Sequence, residues 1–329
     1  MSLATFGSRL RNRFTKVGTA SYDAGNTSTI KLPQGPLFRT LWVRLAASLN
    51  VTTLGTVLSD APLGLISKIE LVADGRTMWG ASPRDLYRLA QYLTSKAQEL
   101  VAPSGTGAAV ACSAAFPIHF EAHRRSNPSD SLFYSEPYGQ LELKITWASG
   151  VSSILSGATA SINTTTAVTV TLEDTFEGHE QVGLIRQISY IEKVVTAAQS
   201  DFELALPRAG LLDSILIRCD VDSVSNDALI SDVRFQFDGS FEPIKGVPWY
   251  DLQNKGISDY SVDGGASGTG RLAGYAYIDL IENGMLTSAP QLKAMTDPKL
   301  LFTTTLPSGT TRIIRATLIT YDVAPGAAA

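Results

Sequence analysis

The segment His119-Phe-Glu-Ala-His123 sets three metal-type donors within five residues. On a strand, His119, Glu121 and His123 would share a face, and two imidazoles with a carboxylate could hold zinc. The pattern is not H-E-x-x-H, in which Glu directly follows the first His on a helix. Arg124, Arg125 and Asn127-Pro128 come next, so the segment reads as the solvated end of a strand running into a polar loop, and no metal ligand is assigned. The glycine-rich run 264–274 lacks the Lys and Ser/Thr of a phosphate loop, having Arg271-Leu272 there, and reads as a surface loop. Asp220, Asp222 and Asp227 offer oxygens to calcium but miss the EF-hand spacing. The histidines are 119, 123 and 179, and no Gly-x-Ser-x-Gly elbow occurs, so a hydrolase triad has little to build on. Cys112 and Cys219 stand in neither metal nor disulfide-framework spacing. Asn26, Asn50 and Asn163 begin glycosylation triplets, read as unmodified loop residues because no secretory signal is visible. No catalytic residue, cofactor-binding residue or cofactor is assigned, and the chain is not read as an enzyme.

Charge is distributed unevenly. The 329 residues are 44% hydrophobic and 18% charged, with a net charge of −4, which argues against a strongly cationic nucleic-acid binder. Residues 1–20 hold Arg9, Arg11, Arg13 and Lys16 and no acid. At 100° per residue Leu3, Phe6, Leu10, Phe14 and Val17 fall within an arc of about 80°, with the basic residues outside it. The spacing predicts a basic amphipathic helix able to lie on an anionic bilayer, with Phe6, Arg9, Leu10, Arg11, Arg13, Phe14 and Lys16 as its membrane-proximal residues. The other reading is a frayed basic tail, and Gly7 and Gly18 weigh on that side. No run of 18 uncharged apolar residues predicts a transmembrane helix.

The elements that must position these residues are strands. Short runs rich in Thr, Val, Ile and Leu, such as Leu41–Leu45, Ile66–Val72, Leu141–Trp147, Ser214–Cys219 and Thr311–Tyr321, are punctuated by Gly, Pro, Asp and Asn. One clear helix is predicted over 83–100, with Ser82 as cap, Pro83 in the first turn and Leu86, Leu89, Ala90, Leu93, Ala97 and Leu100 at helical spacing. Shorter helical turns are expected near Pro248–Lys255 and Pro290–Met295.

The chain also repeats itself. Leu65-Ile-Ser-Lys-Ile-Glu-Leu-Val-Ala-Asp-Gly75 aligns without a gap to Leu229-Ile-Ser-Asp-Val-Arg-Phe-Gln-Phe-Asp-Gly239, with five of the eleven positions identical. A second block precedes each copy: Leu32-Pro33 matches Leu206-Pro207, and Leu37 to Arg44 matches Leu211 to Arg218. Pro83 and Pro248 then follow the two Asp-Gly turns at similar distances. A period of this length is a whole sandwich and not a solenoid repeat. The reading is all-β, two tandem β-sandwiches with short helical insertions, divided as 1–20 arm, 21–178 first domain and 179–329 second domain.

Two tandem sandwiches, each with a Leu-Pro turn, a Leu-Ile-Ser-x-[Ile/Val] strand and an Asp-Gly turn, resemble the double jelly-roll major capsid proteins of tailless icosahedral viruses, including bacteriophages with an internal membrane. The resemblance implies eight-stranded jelly rolls, a pseudo-hexagonal homotrimer tiling an icosahedral capsid, and insertions 83–110 and 252–274 decorating the outside or clasping neighbours. It further implies an N-terminal arm facing the membrane, penton or vertex and minor capsid proteins as partners, no sequence-specific nucleic acid, and a place in the virion after assembly in the host cytoplasm. The alternative is a two-domain β-sandwich that binds or acts on carbohydrate, for which Trp249-Tyr250-Asp251 and Tyr275, Tyr277 and Asp279 are the candidates. A bicupin metalloenzyme would need a His-x-His pair in each half, and residues 185–329 contain no His.

Overall fold

Alternation is what builds the longest strand. In Leu37–Thr53 (β3) the side chains of Leu41, Val43, Leu45, Ala47, Leu49 and Val51 are buried, while those between them face outward or are half-covered. The computed structural model describes residues 12–125, 131–175, 184–238, 242–261, 271–281, 284–285 and 288–323. Within these, the first half supplies β1 (Arg13–Ser21), β2 (Thr27–Lys31), β3, β4 (Ile66–Ala73), β5 (Arg76–Ala81), β6 (Gly107–His119), β7 (Leu141–Trp147) and β8 (Ala167–Thr175). The second half supplies β9 (Leu184–Val194), β10 (Phe202–Ala205), β11 (Leu211–Val221), β12 (Ile230–Gln236), β13 (Ile244–Pro248), β14 (Tyr275–Asp279), β15 (Lys299–Thr304) and β16 (Arg312–Val323). Two helices, α1 (Pro83–Thr94) and α2 (Trp249–Tyr260), follow β5 and β13.

The sheets repeat one order. The first half forms β1-β8-β3-β6, extended by short segments such as Leu100–Val101, and β2-β7-β4-β5. The second forms β9-β16-β11-β14 and β10-β15-β12-β13, each strand shifted by eight from its counterpart. This is the strand order of a jelly roll, found twice. By compactness the chain divides into one unit of Met1–Tyr87, Glu99–Gln187 and Asp322–Ala329, and another of Arg88–Gln98 and Ile188–Tyr321. In the second unit Phe202, Leu204, Ile215, Ile217, Val233, Phe235, Phe302, Ala316 and Leu318 interleave from both sheets into a single core. The first unit buries Leu41, Val43, Leu45, Ile69, Leu71, Leu143, Ile145, Val168 and Val170 in the same way.

The sequence repeat has a physical basis at matched places. Asp74 follows β4, and its Oδ1 accepts from the Gln140 N–H at 2.7 Å, just before β7; Asp238 follows β12, and its Oδ1 accepts from the Thr296 N–H at 2.6 Å, before β15. The Leu32 N–H donates to Leu141 O and the Leu206 N–H to Pro298 O, both at 2.9 Å. Each Leu-Pro and each Asp thus fastens a turn to the start of the same strand. Gly239 lies outside the described residues.

Two expected helices differ from what is found. Residues 13–21 are not helical: β1 pairs antiparallel with β8 from Arg13↔Asp174 to Ser21↔Ala167. Thr15, Val17 and Thr19 suit a strand, and the ladder supplies backbone partners that an isolated short helix lacks. Phe6, Arg9, Leu10 and Arg11 lie outside the described residues. Helix α1 stops at Thr94 rather than near 100, with Ser95 left-handed at φ 56 and its N–H on Gln91 O at 2.8 Å. Beyond it Leu100 and Val101 pair with Ala114 and Ser113, so sheet formation overrides the helical period. The expected turn near 248 is the full helix α2, and that near 290 is a 3-10 turn at Leu292–Ala294.

Candidate functional site

The donors of the 119–123 segment meet at the end of β6. His119 is its last residue, opposite Thr40 of β3, and its Nδ1 lies 3.2 Å from Thr40 Oγ1. The Phe120 N–H still donates to Arg39 O at 2.8 Å, after which the chain turns back through the His123 N–H to Glu121 O at 2.9 Å and a left-handed Arg124. His119 and His123 therefore face each other with ring centroids 3.9 Å apart. His123 Nδ1 is 3.4 Å from Glu121 Oε1, and one donor atom from each of the three residues lies within 4.8 Å of the others.

Solvation differs from the sequence expectation. His119 is 8% and Glu121 9% exposed, so this is not a solvated strand end, and only His119 lies on the strand. What covers it comes from far along the chain. Arg39 Nη2 donates to Glu121 Oε2 at 2.7 Å and its Nη1 lies 3.6 Å from Glu173 Oε1, while the buried Arg186 donates from Nη1 to His119 O at 2.6 Å. Next to Glu173 in sequence, the buried Asp174 takes a two-pronged bond from Arg13, at 3.0 and 2.9 Å. Burial, then His123, Arg186 and Arg39, hold the His119 imidazole well below its ordinary pKa. Burial also lowers that of His123 against the opposing pull of Glu121. Chemically, the cluster is two neutral imidazoles and a carboxylate, a donor set and not a nucleophile with its base. Arg39, Glu173, Asp174 and Arg186 escaped sequence reasoning; their one signal is charge set into otherwise apolar strands.

The other candidates separate. Asp227 Oδ1 accepts from Trp249 Nε1 at 2.9 Å, Gln253 Nε2 at 2.7 Å and the Gly274 N–H at 2.7 Å. Asp222 accepts from the Thr310 and Thr311 N–H groups, and Asp220 pairs with Arg218 Nε at 3.1 Å. The three aspartates thus serve three separate structural contacts. Asn50 is a strand residue opposite Ser161, not a loop residue, and Asn163 donates to Ser48 Oγ and Ala108 O. Burial pushes the Cys112 thiol up to about 11 and that of Cys219 well above its ordinary value, which disfavours the nucleophilic thiolate in both. Residues 264–270 of the glycine-rich run and His179 lie outside the described residues.

The aromatic candidates do not form a sugar platform. Trp249, Tyr275 and Tyr277 are buried, and Tyr277 stacks on Tyr92 with centroids 4.9 Å apart. A cleft of 730 Å³ beside α2 is lined by Asp251, Lys255, Asp259, Tyr260, Tyr277 and Asp279 among others. Tyr260 and Tyr277 are both buried, so among the described residues neither tyrosine offers an open ring face for a pyranose to stack on. Tyr250 is half exposed, with the Arg271 guanidinium 4.4 Å over its ring.

Of the arm residues, Arg13, Phe14 and Lys16 fall on β1. Phe14 is 63% exposed and Lys16 is exposed, whereas Arg13 is committed to Asp174.

No protein-family model matches the sequence, and no curated protein matches it. Among solved structures, the chain is similar to the major capsid protein of STIV, at 14% identity and TM-score 0.72, over 94% of this chain and 96% of that one. It is similar to a chain of the atomic structure of Sulfolobus turreted icosahedral virus, at 15% identity and TM-score 0.70, over 94% and 90%. Major capsid protein P2 of bacteriophage PM2 matches at 15% identity and TM-score 0.62, over 95% and 98%. These neighbours are double jelly rolls, and that is the fold of this chain.

Proposed function

We propose that this chain is the major capsid protein of an icosahedral virus, a structural building block rather than an enzyme. The observation that carries the reading is the jelly-roll strand order repeated twice in one chain, in a fold whose solved neighbours are capsid proteins matched over nearly their whole length. Three copies of a chain with two similar units present six similar edges, so a homotrimer has a pseudo-hexagonal outline that tiles a closed shell. Self-association is then the main partnership, with neighbouring capsomers, penton or vertex proteins and minor capsid proteins around it, and no sequence-specific nucleic acid. Its place is the virion, with assembly in the host cytoplasm.

The finer part of the proposal concerns the arm. Phe6, Arg9, Leu10, Arg11, Arg13, Phe14 and Lys16 face an internal lipid membrane, with the exposed Phe14 and Lys16 at the strand end supporting the reading. Basic side chains beside an apolar ring suit an anionic interface. Negative-stain electron microscopy of the purified protein tests the assembly. Hexagonal particles containing three 35.1 kDa chains are expected. Particles that remain monomeric at every concentration, coupled with capture on a glycan array, would replace this reading with the carbohydrate-binding one.

A further inference from the structure

We propose that His119, Glu121 and His123 bind one divalent transition-metal ion, with Zn²⁺ the best fit. The site is built independently of the capsid reading. Two imidazole nitrogens and one carboxylate oxygen are a recognised zinc donor set, and the two nitrogens disfavour the hard ions calcium and magnesium. One donor atom from each residue already lies within 4.8 Å of the other two. Ligands of a tetrahedral zinc stand about 3.3 Å apart, given bonds of 2.0–2.1 Å, so closure asks for shifts of about an ångström or less.

A second observation points to a ligand. His119 is nine-tenths buried, its Nδ1 is within reach of Thr40 Oγ1, and its Nε2 is buried without a hydrogen-bond partner. An imidazole nitrogen hidden from water and left unpaired is costly, and coordination would satisfy it. The surrounding groups orient the donors as outer-shell partners do. Thr40 fixes one nitrogen of His119, and Arg39 holds Glu121 Oε2, leaving Oε1 on the His123 side. His123, 23% exposed at its side chain, gives the ion its approach from solvent. The cations Arg39, Arg124 and Arg186 work against a metal, and Glu121 and Glu173 with it, so binding is weaker than in an all-anionic site. The ion would tie the end of β6 to the turn that follows it.

The test uses the full chain, treated with chelator, dialysed and titrated with zinc chloride in a calorimeter. One equivalent per chain is expected, with the thermal midpoint raised by a few degrees in excess zinc. Cobalt chloride in place of zinc should give visible absorption bands of a four-coordinate nitrogen and oxygen site. His123→Ala, at a partly exposed position, should weaken binding at least about a hundredfold, since even an outer-shell change costs 10–100-fold. Glu121→Gln gives a second reading that preserves side-chain size, and His179→Ala should leave uptake unchanged. Absence of stoichiometric zinc uptake and of the cobalt bands overturns the proposal. So does uptake that survives His123→Ala and Glu121→Gln, or that is lost in His179→Ala.

Discussion

Asp222 shows how much one side chain can fix. It sits at φ 50 after β11, its N–H donates to Thr311 O at 2.8 Å, and its carboxylate accepts from the Thr311 and Thr310 N–H groups in return. Gly309 closes the same loop against it: a Cβ there would lie 2.2 Å from Val221 Cγ1 and 2.8 Å from Asp222 Oδ2. The Thr311 and Thr310 N–H groups, with Arg312 adding, hold the Asp222 carboxyl below its ordinary pKa. A depressed folded pKa contributes stability that is present above the unfolded value, about 3.9, and is lost as pH falls through the folded one. Asp222→Asn keeps the left-handed backbone, which Asn tolerates, and removes the charge. The variant should have a lower urea midpoint at pH 7, and the gap to the parent should shrink as pH drops below about 4. Parallel pH profiles for the two proteins would show that the loop does not depend on this carboxylate. Asp227, by contrast, stitches a 3-10 turn to α2 and to Gly274 through three donors. Asp227→Ala should cost roughly 3 kcal/mol in denaturant unfolding, because the buried donors lose their acceptor together. The Asp residues are visible in the sequence as a possible oxygen cluster; what is not visible is that Asp222 and Asp227 each hold their own distant partners, 22 to 89 residues away, while Asp220 pairs with Arg218 on its own strand.

Elements were legible where one period left no alternative. Leu141–Trp147 buries every second side chain and Leu37–Thr53 does so along most of its length, as their alternation predicts. Over 13–20 the helical period misleads, because Phe14 and Val17 fit a helical stripe and nothing local records the edge of β8 that claims this stretch as a strand. The same blindness hid the burial of His119 and Glu121, whose cover is Arg39 and Arg186. Gly18 supplies a test of β1 as an element. Its missing side chain lets the strand lie on β2: a Cβ would stand 2.7 Å from Ile30 Cγ2. Gly18→Ala should destabilise the protein by about 1–3 kcal/mol through overpacking. Adding Ile30→Ala opens the space, so the double variant should be more stable than the sum of the two single losses. Strict additivity in a double-mutant cycle would mean that β1 does not pack there.

At the scale of the whole molecule, the strand assignment changes how the arm must be tested. Removing residues 1–20 would take away nearly all of β1, strip the edge of β8 and break the Arg13–Asp174 pair, leaving the buried Asp174 uncompensated. Such a variant should unfold at a lower temperature or aggregate through the bared sheet edge, whatever the arm does at a membrane. A deletion of residues 1–11 stops before Asn12, whose side chain donates to Glu173 Oε1 at 3.1 Å, and leaves β1 whole. It removes Phe6, Arg9, Leu10 and Arg11 while retaining Arg13, Phe14 and Lys16. If the arm engages lipid, this shorter deletion should preserve the thermal midpoint and the trimer. It should also lose most co-sedimentation with anionic vesicles, and the parent's own binding should fall as salt is raised, since the basic residues act through a screened field. Vesicle binding that is equal in both proteins would take the membrane out of the arm's function while leaving the shell-forming role of the two jelly rolls intact.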